Sequence, residues 1–155
     1  MDFKTAIDTC LRRKYLDFSG RASRSEYWYY ILAYLIGSIV VSLVGGILGA
    51  RAGSVLSGIY SLALFLPSLA VLVRRLHDTN HSGWWAAGGC VLAAAAFIIL
   101  IGALLMGAGA SSALMMILGV LSIVYGLWML FLLVSKGTVG PNCYGADPLE
   151  TPADV

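Results

Sequence analysis

The hydrophobic positions along the chain fall into four long segments that contain no charged residue. Asp, Glu, Lys, Arg and His are all missing from residues 27–50, 55–73, 84–106 and 113–134. Because an α-helix rises about 1.5 Å per residue, about 20 apolar residues cross a hydrocarbon core of about 30 Å. The pattern therefore predicts four transmembrane helices in a single membrane domain, residues 1–155, and the fold class is an all-α membrane protein.

A shorter periodic pattern precedes the first of these segments. Apolar residues recur at helical spacing over residues 2–18, with polar residues on the other faces; the apolar positions are Phe3, Ile7, Cys10, Leu11, Tyr15 and Phe18. This pattern predicts an N-terminal amphipathic helix within residues 1–22. Two placements stay open, since such a helix either lies in the membrane interface or packs on the ends of the spans.

Local signals set the boundaries between the segments. Ser19-Gly20 predicts a break, and Ser23 with Glu26 has the spacing of a capping box, so the first long helix should begin near Ser23. Residues 51–54 and 107–112 predict tight turns. The turn formers in residues 135–155 predict a tail that folds back as a loop or hangs free.

Composition supports the membrane class, since 59% of residues are hydrophobic and 12% charged, against about 45–50% and about 25% in soluble domains. Basic residues are concentrated on one side of the predicted spans. Six of the ten precede the first span, two lie in the central loop and one follows the fourth span, whereas Arg51 alone lies in an outer loop. The positive-inside rule therefore predicts cytoplasmic termini and a cytoplasmic central loop.

The same sequence disfavours nucleic-acid binding and sites built from cysteines. Acidic residues are interleaved with the N-terminal basic residues and no compact basic run exists, so nucleic acid is not an expected partner. Cys10, Cys90 and Cys143 are odd in number and show no C-x-x-C spacing, which gives no disulfide framework or thiolate metal site.

The central polar segment, Arg74 to Trp85, concentrates candidate chemistry. Arg74 and Arg75 could grip a phosphate, with Arg21 and Arg24 nearby on the same predicted side. In the competing interpretation the same guanidinium groups rest on lipid headgroups and pair with carboxylates of Asp17, Glu26 or Asp78. The sequence leaves both readings open.

His77 and His81 are four residues apart, with Asp78 beside them. If the second span continued that far as a helix, the imidazoles and the carboxylate could bind a divalent ion. Asn80, Ser82 and Gly83 are helix-stopping residues that would break this shared face. The alternative is that the histidines are interfacial side chains whose ring nitrogens meet backbone carbonyls or carboxylates.

Three segments carry a resemblance to a known family. They are residues 18–28 (Phe-Ser-Gly-Arg-Ala-Ser-Arg-Ser-Glu-Tyr-Trp), residues 74–85 with Arg-Arg-Leu-His-Asp and Ser-Gly-Trp-Trp, and residues 140–148 with Gly-Pro-Asn, Tyr-Gly and Asp-Pro. The chain resembles the bacterial inner-membrane proteins grouped as domain of unknown function 805 (DUF805). The resemblance implies a four-span protein of the inner (plasma) membrane without an established activity. Cys143 stands where the family has a basic residue, and Ala146 where it often has proline.

These features favour a protein that is not an enzyme and has no cofactor. The expected function is binding of an anionic lipid headgroup or a partner protein at the cytoplasmic face. Whether the chain forms a homo-oligomer or binds a partner membrane protein is left open. The expected binding residues are Arg21, Arg24, Glu26, Arg74, Arg75, His77, Asp78, Trp84, Tyr144 and Asp147. The alternatives are a metal-dependent or lipid-modifying enzyme that uses His77, Asp78 and His81, and a small transporter or channel.

Overall fold

Four long helices form the protein, which is described by a computed structural model over residues 1–106 and 112–150. A short helix, α1 (Phe3–Asp8), continues into a π-helical turn, Thr9–Arg13. The long helices are α2 (Arg24–Leu48), α3 (Ala50–Asp78), α4 (Trp84–Met106) and α5 (Ser112–Val134). All four are long and apolar enough to cross a membrane, which confirms the predicted fold class. Most of the turn predicted over residues 107–112 lies outside the described residues.

The N-terminal helix is present but ends sooner than predicted. Its regular turns stop at Arg13 rather than at residue 18, and Lys14 already has φ −127° and ψ 38°, outside the helical region. Ala6, Thr9 and Cys10 are buried, and the helix packs against α2 and α3. Of the two placements left open, packing on the ends of the spans is therefore seen.

The start of α2 follows its sequence signal. Ser23 is the N-cap residue, with an extended backbone, and its hydroxyl accepts a hydrogen bond from the Glu26 amide at 3.3 Å. Side chains of this type satisfy one of the free amides of a first helical turn. The cap places Glu26 in the first turn, where the side chain points into the protein and is 3% exposed.

The connection between α2 and α3 corrects the predicted turn at residues 51–54. Those residues belong to the first turn of α3, and the chain reverses at Gly49 alone, which has φ +90°. Glycine adopts this conformation without the steric cost that a Cβ would bring. Across the resulting hairpin Gly45 lies against Gly53, where a Cβ on Gly45 would come within 2.8 Å of the Gly53 Cα.

The packed core lies at one end of the four-helix arrangement, where α2 and α4 begin and α3 and α5 end; we call this the charged end. One cluster of buried residues there joins Cys10, Tyr27, Tyr30, Val71 and Leu133, and a second joins Leu76, Ala86 and Leu132. Arg74 and Arg75 are the largest fully buried side chains among the described residues. Along the remaining length of the spans most large apolar side chains are exposed and suited to contact with lipid.

Candidate functional site

Three segments that are distant in sequence meet at the charged end. They are the linker before α2, the last turns of α3 and the tail after α5. The Ala22 amide donates to the Arg74 carbonyl at 3.0 Å, and the Thr138 amide donates to the Asp78 carbonyl at 2.9 Å. These main-chain bonds fix the linker and the tail on the end of α3, so their side chains converge.

Asp78 is the centre of one buried ion-pair group. Its Oδ1 accepts from Arg21 Nε at 3.0 Å and lies 2.8 Å from Arg21 Nη2, while its Oδ2 pairs with Arg75 Nη1. Arg75 also donates to the carbonyls at the end of α5, from Nε to Leu133 at 3.1 Å and from Nη2 to Ser135. Both carboxylate oxygens of Asp78 are thus occupied by guanidinium groups.

Glu26 is the centre of a second buried group. Its Oε1 pairs with Arg74 Nη1, and the Cys10 thiol lies between the two, 3.7 Å from Glu26 Oε1 and 3.8 Å from Arg74 Nη2. Burial, with a smaller contribution from the nearby Glu26 carboxylate, raises the pKa of the Cys10 thiol to about 11. Among the described residues, Arg74 Nε is a buried side-chain nitrogen without a hydrogen-bond partner.

The buried cluster as a whole has more cations than anions. Three guanidinium groups, on Arg21, Arg74 and Arg75, face two carboxylates, on Glu26 and Asp78, and all five residues are at most 5% exposed. A buried charge without a counter-ion is costly, so such an excess requires compensation by backbone carbonyls or by another anion.

The tail supplies part of that compensation. Arg21 donates from Nη1 to the Gly140 carbonyl at 2.6 Å and from Nη2 to the Thr138 carbonyl at 2.5 Å. Gly140 has φ +75°, which turns the chain so that its carbonyl reaches the guanidinium. Gly137 lies so close to Asp78 that a Cβ would overlap the carboxylate. The tail therefore folds back, as one of the two predicted alternatives had it.

His77 and Tyr144 form a second attachment of the tail. Their rings stack with centroids 3.9 Å apart and planes at 4°. Asn142 Nδ2 donates to the His77 carbonyl at 2.9 Å and to Thr138 Oγ1 at 2.7 Å. The stack and the amide bonds hold residues 138–145 against α3.

The two histidines do not share a helical face. Helix α3 ends at Asp78, and Asn80 has φ +60°, so the chain leaves the helix before His81. His77 Nδ1 lies 3.1 Å from the Gly20 carbonyl and His81 Nδ1 lies 2.7 Å from the Thr79 carbonyl, in keeping with the interfacial alternative. Within residues 1–106 and 112–150 no group of three or more His, Cys, Asp or Glu residues could hold a metal ion.

A small cleft opens beside Arg21, between the start of α2 and the tail. Its volume is about 40 Å³. Its charged lining residues are the cations Arg21, Arg24 and Lys136 and the carboxylates Asp78 and Asp147. Asp147 Oδ2 accepts from the Gly140 amide at 3.1 Å. Its pKa is lowered by the hydrogen bond from the Leu149 amide, then by that from the Gly140 amide, and by the charges of Arg21 and Lys136.

The structure thus brings together most of the predicted residues, but they differ in their exposure to solvent. Arg74 and Arg75 are fully buried and paired with Glu26 and Asp78, which is the carboxylate pairing that the sequence left open. Arg24 is exposed at the cleft, and Trp84 is 82% exposed outside the buried cluster.

Two participants were not assigned to the site from the sequence. Cys10 shares its helical face with apolar residues, so nothing in its spacing indicates a contact with Arg74 and Glu26. Lys136 lines the cleft; its signal was its position as the first charged residue after α5.

Comparisons with known proteins agree on a family. A family model described as "Protein of unknown function (DUF805)" matches residues 15–146. The chain is 48% identical over 75 residues to Inner membrane protein YhaH of Escherichia coli (strain K12), across 46% of this chain and 62% of that relative. It is 46% identical over 71 residues to Inner membrane protein YhaI of the same strain, across 46% of this chain and 59% of that relative. The chain thus spans about three fifths of the length of these relatives. No solved structure matches the chain.

Proposed function

The chain belongs to DUF805, a family of unknown function, as a multi-pass protein of the bacterial inner membrane, and we propose that its charged end is cytoplasmic and binds anionic lipid headgroups without catalysing a reaction. The observation that carries the proposal is the position of Arg24 and Lys136. Both are exposed and both line the cleft beside Arg21. Arg24 is the first residue of α2 and Lys136 follows the end of α5 by two residues, so both lie at the ends of apolar spans, where a headgroup would meet them.

The buried arginines have a different part in this proposal. Arg74 and Arg75 lie beneath the surface with internal partners, so they shape the charged end and do not themselves meet a headgroup. Exposed cations that remain free for lipid are worth about 1 kcal/mol each near an anionic leaflet. Arg12 and Arg13 already pair with Asp8 on the surface. Arg24 and Lys136, the exposed cations that line the cleft, are the principal lipid contacts in this proposal.

Lipid retention tests the binding. The protein and an Arg24→Gln/Lys136→Gln variant would be purified in mild detergent from the same membranes, and bound phospholipid would be quantified by mass spectrometry. We expect the variant to retain less anionic lipid relative to neutral lipid. Arg51→Gln is the matched control, because Arg51 lies at the opposite end of the spans. Equal anionic-lipid retention by all three folded proteins would refute the proposal.

Cysteine labelling tests the orientation. Cys143 is exposed in the tail, so in a Cys90→Ala background a membrane-impermeant maleimide should label it in permeabilised cells and not in intact spheroplasts. A cysteine introduced by Arg51→Cys, in the same background with Cys143→Ala, should give the reverse pattern. Labelling of Cys143 in intact spheroplasts would overturn the cytoplasmic assignment.

A further inference from the structure

The cleft beside Arg21 has a size that limits what it can hold. A site for one water needs about 10–15 Å³ measured in the same way, and this cleft measures about 40 Å³. It therefore accommodates about three water-sized oxygen atoms. That volume matches the terminal oxygens of one phosphoryl group.

Arg21 also has hydrogen-bonding capacity that its partners in the protein do not use. A guanidinium carries five N–H groups. Among the described residues, the Asp78 carboxylate and the Thr138 carbonyl engage Nε and Nη2, and the Gly140 carbonyl takes one hydrogen of Nη1. One Nη1 hydrogen is left without an acceptor, on a side chain that is 1% exposed and lines the cleft.

The charge balance around the cleft favours an anion. The buried cluster has three guanidinium groups against two carboxylates, and Arg24 and Lys136 add two cations at the cleft itself. Asp147 offsets one of them from the rim, where main-chain amides hold its carboxylate. Two positive charges are left over in this group, which matches a doubly charged phosphoryl anion.

We propose that the cleft formed by Arg21, Arg24 and Lys136 binds a phosphomonoester or free phosphate through its terminal oxygens. This inference rests on the proposed function where the phosphoryl group belongs to a lipid, and it narrows the anionic lipid to one with a terminal phosphate. A phosphomonoester offers three terminal oxygens to these donors, whereas a phosphodiester headgroup offers two. Arg21 supplies the buried donor, and Arg24 and Lys136 supply exposed cations from two separate segments of the lining.

Lipid binding in detergent distinguishes the headgroups. The full-length protein in mild detergent would be incubated with short-chain phosphatidylcholine, phosphatidylglycerol or phosphatidic acid at equal concentration, and the bound lipid would be quantified by native mass spectrometry. We expect a preference for phosphatidic acid over phosphatidylglycerol of about tenfold, as one additional charge-assisted hydrogen bond would give. Lys136→Gln should remove this preference, and Arg12→Gln, a change of an exposed arginine outside the cleft, should preserve it.

A second measurement distinguishes the source of the phosphate. Thermal unfolding in detergent would be followed with and without millimolar inorganic phosphate, using sulfate at equal ionic strength as the reference. Stabilisation by phosphate that Lys136→Gln abolishes supports a site that accepts free phosphate; a preference for phosphatidic acid without such stabilisation supports a lipid site. Equal binding of phosphatidylglycerol and phosphatidic acid with no phosphate effect would overturn the inference and leave the proposed function standing. Binding of both anionic lipids no tighter than that of phosphatidylcholine would overturn the proposed function itself, whether or not free phosphate stabilises the protein.

Discussion

Arg21 and Asp78, 57 residues apart in the chain, form a buried ion pair in which Arg21 Nε donates to Asp78 Oδ1 at 3.0 Å. Through this pair the linker before α2 is joined to the last residue of α3. The same guanidinium holds the tail by the Thr138 and Gly140 carbonyls. One arginine thus connects the three segments that form the charged end.

Loss of the Asp78 charge should destabilise the protein strongly. Asp78→Asn leaves Arg21 and Arg75 without their carboxylate, and the Asn amide would direct a donor toward a guanidinium. Removing one partner of a buried ion pair costs about 3–5 kcal/mol. We expect a decrease of this size in the free energy of unfolding, measured by tryptophan fluorescence during denaturation in detergent.

The matched control for this change is Asp147→Asn. Asp147 is less buried and accepts hydrogen bonds from main-chain amides, so loss of its charge should change stability far less. If the two variants were equally stable, the Asp78 ion pairs would not contribute as the geometry indicates.

The spans and their caps could be predicted because their signals are local. The run of uncharged residues defines each helix, and the hydroxyl of Ser23 with Glu26 three residues later defines the start of α2. Gly49 is different, since one glycine at positive φ reverses the chain and no sequence signal separates it from the neighbouring glycines. The turn was therefore predicted a few residues too late.

The sequence could predict which residues lie at the same end of the spans, but not which of them form ion pairs with each other. The sequence brings Arg21, Glu26 and Asp78 to one side of the spans, but pairing depends on the rotation of α2 and α3 about their axes. Helix α3 ends at Asp78 and Asn80 has a positive φ, so His81 does not share a helical face with His77. The pairing and the helix end both depend on tertiary packing, and a spacing of four residues in the sequence gives no information about it.

A methyl group at Gly137 should detach the tail. The Cβ of Gly137→Ala would overlap Asp78, whose carboxylate is held in place by two arginines and cannot move aside. We expect faster cleavage of residues 137–150 in limited proteolysis of the purified protein. Gly119→Ala is the control, because a Cβ there meets no atom within 4 Å. Identical cleavage rates would show that the tail tolerates the overlap.

Cys10 should be unreactive in the folded protein. Burial, with a further effect of Glu26, raises the pKa of its thiol from 9.0 to about 11, and the thiolate is the reactive form. At pH 8 a maleimide should modify the exposed Cys143 rapidly and Cys10 only after unfolding, as peptide mass spectrometry would show. Rapid native labelling of Cys10 would contradict its buried position.

The same thiol predicts a pH dependence of stability. Because its pKa is higher in the folded state, its contribution is fully present below the ordinary thiol pKa of 9.0 and decreases as the pH rises to about 11. The stability difference between the wild-type protein and Cys10→Ala should therefore become less favourable to the wild type over this range. A difference independent of pH between 8 and 11 would contradict the shift.

Adjacent glycines in α2 should respond oppositely to the same substitution. A Cβ on Gly45 would come within 2.8 Å of the Gly53 Cα, and backbone cannot yield as a flexible side chain can, whereas a Cβ on Gly46 meets nothing within 4 Å. Gly45→Ala should therefore separate α2 from α3 and lower the unfolding temperature in detergent. Gly46→Ala should be neutral or slightly stabilising, because alanine favours a helix over glycine by about 1 kcal/mol. Equal effects at both positions would mean that the close approach of Gly45 and Gly53 does not hold the hairpin together.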